Sequence, residues 1–231
     1  MNESLIYQDI CKRIHKKRAL WFEPSDSCLK EISDHISSSS KDMVIEWSLL
    51  QVKRIIDTLK KKYPEEDRAI LAYESVIQWL HKEIKMPTAK RAILECHAVV
   101  KDITSPSDKA LFHAVAQGLS SIHVKTHALG IPIYELTSIA RFHIDDFEHY
   151  VNQKIKEYLD AFDYIQSKNP RWSIFLLIHS VKSKTIHVKI VLMNGVFITD
   201  NSSKRYHHEA NHSTNEWKWC QTISSVKIRG S

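Results

Sequence analysis

Glycine is scarce in this chain of 231 residues, which contains four glycines and none in its first 117 positions. Folds rich in β-sheet and loops that cradle phosphates rely on glycine wherever the backbone needs a positive φ. A long stretch without glycine therefore favours helices joined by short turns. We expect a mainly α fold, a multi-helix bundle or an orthogonal array of helices.

Apolar residues recur at helical spacing, as the run Ile70, Tyr73, Ile77 and Leu80 illustrates. Helix boundaries can be placed as well. Pro64 and the three acids after it predict a helix whose first turn holds those acids, since negative charge suits the positive end of the helix dipole.

Three further boundaries are set by capping residues and prolines. Ser105 before a proline predicts an N-cap, and Ser40 or Asp42 could begin an earlier helix. Pro132 would be costly inside a helix but is tolerated at a helix start. We therefore expect a break near Gly130 and a new helix opening at Pro132.

The pattern divides the chain into three parts: a helical N-terminal extension (1–40), an all-helical domain (41–167) and a C-terminal tail (168–231). In the tail, Asn194-Gly195 lies between two β-prone runs, which predicts a β-hairpin. Residues 201–231, by contrast, are polar and aperiodic. The tail is thus either a small β appendage or a weakly packed extension.

The net charge of +6 belongs to the tail. Residues 168–231 hold ten basic and three acidic residues, whereas residues 1–167 hold 23 basic and 24 acidic ones. A basic groove for nucleic acid is therefore not expected in the helical domain. Binding of nucleic acid through the basic tail, with Tyr206, Trp217 and Trp219 stacking on bases, remains a further alternative.

Membrane insertion and export are not expected. No apolar run of about 18 residues occurs, and the N-terminus lacks the apolar segment of a signal peptide. The four cysteines, at positions 11, 28, 96 and 220, include no CxxC pair, so we interpret them as reduced thiols. The expected location is the cytoplasm.

The chemistry-bearing feature of the chain is a group of histidines at positions 97, 113, 123 and 127. His123 and His127 are four residues apart, so on a helix they would share a face, as metal-binding pairs do. Three interpretations stay open: buried histidines bonded to backbone or hydroxyl groups, a zinc site of a metal-dependent enzyme, or acid–base catalysis. Neighbouring residues on a helix point about 100° apart, so Cys96 and His97 are not expected to form a nucleophilic pair.

Two blocks of sequence resemble a known family. The first runs from Trp47 to Glu83 and includes Tyr63-Pro-Glu-Glu-Asp-Arg-Ala-Ile70; the second runs from Ala92 to Tyr134 and includes His113-Ala-Val-Ala-Gln-Gly118 and His123-Val-Lys-Thr-His-Ala-Leu-Gly130. They resemble the immunity proteins of bacterial polymorphic toxin systems, in the group related to the fifth-numbered immunity family. The resemblance covers roughly residues 45–165.

The resemblance implies an all-helical cytosolic protein that binds and neutralises a cognate protein toxin. It implies no catalytic residues and no cofactor, and standard catalytic signatures such as GxxxxGK[ST], GxSxG and HExxH are absent from the sequence. We therefore expect a non-enzymatic binding protein. Two acidic groups are candidates for contact with a basic toxin: Glu65, Glu66 and Asp67, and Asp145, Asp146 and Glu148.

Overall fold

The computed structural model describes residues 3–167, and for residues 3–6 it describes the backbone alone. Within this range the chain folds into eight α-helices and no strands, which confirms the mainly α prediction. The helices are α1 (Glu3–His15), α2 (Lys30–Ser38), α3 (Lys41–Lys62), α4 (Arg68–Leu80), α5 (Met86–Ala98), α6 (Pro106–Ser120), α7 (Gly130–Phe142) and α8 (Phe147–Ser167). The predicted hairpin at Asn194-Gly195 and the other predictions for the tail lie outside the described residues.

Helix α3 runs through the centre of the domain. Its Trp47 is fully buried, stacks on Phe162 of α8 with ring centroids 4.5 Å apart, and donates from Nε1 to the carbonyl of Tyr158 at 3.1 Å. A buried tryptophan normally satisfies its indole N–H in this way. The contact fixes α8 against α3.

Helices α3 and α6 pack antiparallel. Lys62 and Tyr63, at the end of α3, both donate to the buried carboxylate of Asp108 in the first turn of α6. Ten residues earlier in α3, Val52 faces Gly118 in the last turn of α6. The close approach requires glycine at 118, because a Cβ there would lie 2.4 Å from a methyl carbon of Val52.

Helix α7 begins where the break was expected. A 3₁₀ segment, Lys125–Leu129, precedes it, and α7 starts at Gly130 with Pro132 in its first turn. A Cβ at Gly130 would lie 2.6 Å from the Cβ of Gln117, so the start of α7 sits directly against α6. The predicted capping roles of Ser105 and Ser40 are also confirmed, since their hydroxyls accept from the backbone N–H groups of Asp108 and Met43.

One predicted helix start is wrong. Helix α4 begins at Arg68 rather than at Pro64, so the three acids lie before the helix and not in its first turn. The physical reason is a competing set of bonds: Glu66 accepts from the backbone N–H and the guanidinium of Arg68, while Asp67 pairs with Lys60. These interactions hold residues 64–67 in a turn.

The N-terminal segment shares the core of the domain. Ile10, Phe22 and Ile32 are almost completely buried within the same hydrophobic cluster as α3, α6 and α8. The hydroxyl of Tyr7 also donates to Asn152 of α8 at 2.7 Å. The hydrophobic core therefore continues across position 40, where the sequence pattern places a boundary.

Candidate functional site

The four candidate histidines lie in two pairs on neighbouring elements. His97, near the end of α5, faces His113 of α6, with Nδ1 atoms 3.3 Å apart. His123 and His127 have ring centroids 5.4 Å apart. The second pair does not sit on one α-helix, as the spacing suggested, because His123 lies in the turn after α6 and His127 in the 3₁₀ segment.

The first pair is bordered by an aromatic ring. The ring of His113 lies 5.1 Å from that of Tyr134 on α7, so α5, α6 and α7 each contribute one side chain. All three are half-buried and within reach of solvent. Burial lowers the pKa of His113, and it also lowers the pKa of His97, where the nearby His113 and His127 add to the effect. Both rings are therefore neutral at pH 7, with a lone pair on each.

The second pair is held differently. The Nδ1 of His127 is bonded to Oε1 of Gln117 at 2.8 Å, which fixes the orientation of the His127 ring. Burial lowers the pKa of His123, and His127, Lys90 and Lys41 repel its charged form further. The Nδ1 of His123 is buried and has no hydrogen-bond partner within the described structure.

Gln117, His127 and Tyr134 also line a surface groove of about 750 Å³. The loop after α1 also lines it, with residues between Arg18 and Pro24, as do Leu129 and Ile133. Apolar walls with a few polar groups are the usual composition of a ligand groove. The sequence pattern does not predict this groove, because it forms between segments about 100 residues apart along the chain.

The sulfur of Cys96 does not join the histidines. It is buried, lies 4.0 Å from the carbonyl oxygen of Phe112, and burial raises the pKa of its thiol to about 12. A thiol that stays protonated is a poor nucleophile. The three cysteines in the described range, Cys11, Cys28 and Cys96, are all free, whereas Cys220 lies outside it.

The two acidic groups differ in what they already bind. In the first group, both carboxylate oxygens of Glu66 accept hydrogen bonds from the guanidinium of Arg68. Arg68 also forms a salt bridge with Asp102 at 2.6 Å, and Asp67 forms one with Lys60. Within residues 3–167, the exposed side chain of Glu65 is the one in this group that forms no hydrogen bond or ion pair. Glu66 and Asp67 stabilise the turn before α4, so their carboxylates have a structural role within the domain.

The second acidic group lies close in sequence to exposed aromatic side chains at the corner between α7 and α8. Asp145 and Asp146 are exposed and pair with no cation within the described residues. Phe142 at the end of α7 is 56% exposed, and Tyr150 is 37% exposed and stacks on His143 with ring centroids 3.6 Å apart. We call Phe142, His143, Asp145, Asp146 and Tyr150 the corner surface.

Comparison with known proteins identifies a family for this chain. A family model described as "Imm-5 like putative immunity protein" matches residues 34–161, more than half of the chain. The chain belongs to this Imm-5 like family. No curated protein and no solved structure matches the chain.

Two further properties of the described residues concern membrane-spanning helices and metal-binding groups of side chains. None of the helices in residues 3–167 has the length and apolar character needed to cross a membrane. In the same range, no group of three or more histidine, cysteine, aspartate or glutamate residues is arranged to hold a metal ion. The predicted role of the basic tail in binding nucleic acid, through Tyr206, Trp217 and Trp219, falls on residues outside the described range.

Proposed function

We propose that this protein is a cytoplasmic, non-enzymatic immunity protein that binds a cognate bacterial toxin and neutralises it by covering its active surface. Membership of the Imm-5 like family supports the role. The observation that carries the choice of binding face is the corner surface, where exposed aromatic rings stand beside exposed carboxylates. Aromatic anchors surrounded by polar groups are typical of the residues that dominate binding energy in protein interfaces.

The chemistry of the corner surface indicates the kind of partner. Asp145 and Asp146 follow one another directly, so the short segment between Phe142 and Tyr150 carries two exposed negative charges. Glu148 adds a third carboxylate in the first turn of α8. A toxin with basic residues around an apolar cleft, as nucleases often have, would meet both features at once.

The turn at Glu65, Glu66 and Asp67 is a weaker candidate for the interface. Two of its three carboxylates already bind cations of the domain, and a partner would have to displace Lys60 or Arg68 to use them. The hydrogen bonds from Arg68 lower the pKa of Glu66, so this carboxylate is already stabilised in its charged form within the domain. We therefore place the toxin at the α7–α8 corner.

Co-expression with the toxin encoded beside the gene tests the function. We expect the full chain to relieve toxicity and to elute with the toxin as one complex on gel filtration. A standard interface would bury about 1,600 Å² in total. Unrelieved toxicity together with separate elution would contradict the proposal.

Charge reversal tests the binding face. We expect the double substitution Asp145→Lys/Asp146→Lys to weaken toxin binding about 10- to 100-fold, because it replaces attraction by repulsion at the anchor. The matched control is Asp160→Lys/Asp163→Lys, which changes the charge by the same amount at exposed sites further along α8. Equal affinity for the two variants would place the interface elsewhere, and the groove beside Tyr134 would then be the next surface to substitute.

A further inference from the structure

The pair formed by His97 and His113 has the geometry of two ligands on one metal ion. Helices α5 and α6 pack against each other, and the two rings meet at their contact with Nδ1 atoms 3.3 Å apart. Zinc bonds to histidine nitrogen are about 2.0–2.1 Å long, and at a tetrahedral angle two such nitrogens lie about 3.3–3.4 Å from each other. The observed spacing therefore fits zinc without movement of either helix.

The spacing also fits a direct hydrogen bond, in which one ring donates its Nδ1 proton to the other. The hydrogen-bonded pair and the zinc-bound pair have nearly the same distance between the two Nδ1 atoms. When zinc takes the place of the shared proton, that proton moves through solvent water to Nε2 of the donor ring, so both rings stay neutral with their proton on Nε2 and each Nδ1 supplies a lone pair to the ion. Because neither ring carries a positive charge at neutral pH, the ion meets no imidazolium repulsion.

The surroundings favour this pair over the other histidines. Both rings are half-buried, so an ion can reach them from solvent, and burial is the largest cause that lowers the pKa of each. In the second pair, Nδ1 of His127 is already bonded to Gln117, and Lys41 and Lys90 place positive charge near His123. Cys96 is turned towards Phe112 and contributes no sulfur.

We propose that His97 and His113 chelate one Zn²⁺ ion through their Nδ1 atoms. No third protein ligand of the usual kinds completes the site within residues 3–167, so two tetrahedral positions hold water. A site of this kind binds zinc more weakly than a closed structural site with four protein ligands. The proposal is independent of toxin binding, because the corner surface lies at the opposite end of α7 from Tyr134, which borders the pair.

The test is a calorimetric titration of tag-free, metal-free full-length protein with Zn²⁺ alone, which measures how many zinc ions bind per chain. The chain has 14 histidines, so the informative quantity is the difference in stoichiometry between variants. We expect His97→Ala and His113→Ala each to lose one equivalent of zinc. The matched controls His123→Ala and His149→Ala are expected to keep the wild-type stoichiometry.

A second measurement identifies the atoms and does not depend on either alanine variant folding. In ¹⁵N-labelled wild-type protein, we expect Zn²⁺ to shift the Nδ1 resonances of His97 and His113 together, with saturation at one equivalent. With zinc bound, both Nε2 resonances should have the protonated form, whereas in the metal-free pair the ring that donates from Nδ1 carries no proton on Nε2. Unchanged Nδ1 resonances, or the same zinc stoichiometry in His97→Ala, His113→Ala and both controls, would overturn the proposal and leave a plain hydrogen bond between the rings.

Discussion

Gly118 shows how much one missing side chain decides in this core. The residue lies in the last turn of α6, where glycine is unfavourable for a helix by up to about 1 kcal/mol relative to alanine. A Cβ at this position would come within 2.4 Å of Val52 and 2.8 Å of Ile131. The role of Gly118 is therefore to allow close packing between α3, α6 and α7, and it does not depend on an unusual backbone conformation.

We expect Gly118→Ala to lower the free energy of unfolding by about 1–3 kcal/mol, because the new methyl group overpacks the core. The matched variant is Gly118→Ala combined with Val52→Ala, which removes the nearest methyl group. Chemical denaturation should show that the double variant is more stable than the sum of the two single changes predicts. Simple additivity would mean that the helices move apart to accept the methyl group.

The candidate site shows the limit of sequence reasoning at the same scale. The sequence gathers His97, His113, His123 and His127 as one group, since the four lie within 31 residues. The fold separates them into two pairs with different partners, because α5 and α6 pack side by side while the chain leaves α6 through a turn. Spacing along the chain could not reveal which rings face each other.

At the scale of elements, capping residues predicted helix starts well where the side chain bonds only to its own helix. Ser105 is such a case: its hydroxyl accepts from the N–H of Asp108, and Pro106 occupies the first helical position. The start of α4 was mispredicted because the acids before it bind Arg68 and Lys60 instead. Local patterns are reliable only where no stronger partner competes.

We expect Ser105→Ala to cost about 1 kcal/mol of stability, the usual loss for an N-cap hydroxyl. The change also removes a bond that positions Asp108, whose carboxylate anchors the end of α3 through Lys62 and Tyr63. Ser107→Ala, two residues further on and without a cap bond, is the control and should be neutral. Thermal unfolding of the two variants side by side measures the difference; equal melting temperatures would show that the cap contributes nothing.

At the scale of the whole molecule, we expect the N-terminal segment to contribute to the stability of the helical domain, because its apolar side chains are buried in the same core. Helices α1 and α2 and the loop between them bury Ile10, Phe22, Leu29 and Ile32 in the common core. Arg13 ties this loop together through bonds to Asp26 and to the carbonyl of Trp21. Removing the segment would expose the core face of α8 to water.

We therefore expect a fragment of residues 41–167 to be unfolded or aggregated, while a fragment of residues 1–167 folds cooperatively. The reason is the apolar area that α1, α2 and their loop cover, worth about 25 cal/mol for every Å². Circular dichroism and size-exclusion chromatography of the two fragments measure the outcome. A well-folded 41–167 fragment would contradict this expectation and would support the predicted boundary at position 40.

Stability should also depend on pH through the histidines. Burial lowers the pKa of His123 and of His143, so both hold fewer protons in the folded state than in the unfolded state. Their contribution to stability is fully present above the unfolded value of about 6.5 and is lost as the pH falls below it. We expect the melting temperature of metal-free protein to drop between about pH 7.5 and pH 5.5.

A double variant, His123→Asn/His143→Asn, should show a smaller drop over the same range, because asparagine does not titrate. His15→Asn is the control, since His15 is exposed on α1. Identical pH profiles for the wild type and the double variant would show that other groups carry the dependence.

The sequence by itself determined the helical class, most helix boundaries and the break before α7, because these depend on short-range patterns of glycine, proline, capping residues and apolar spacing. The family was indicated separately, by the resemblance of two blocks of sequence. Only the tertiary structure decided which histidines pair, which acids remain exposed, and that the N-terminal helices share the core. Those facts depend on packing between helices distant in sequence, such as α1 with α8 and the loop after α1 with α7. No local pattern encodes such contacts.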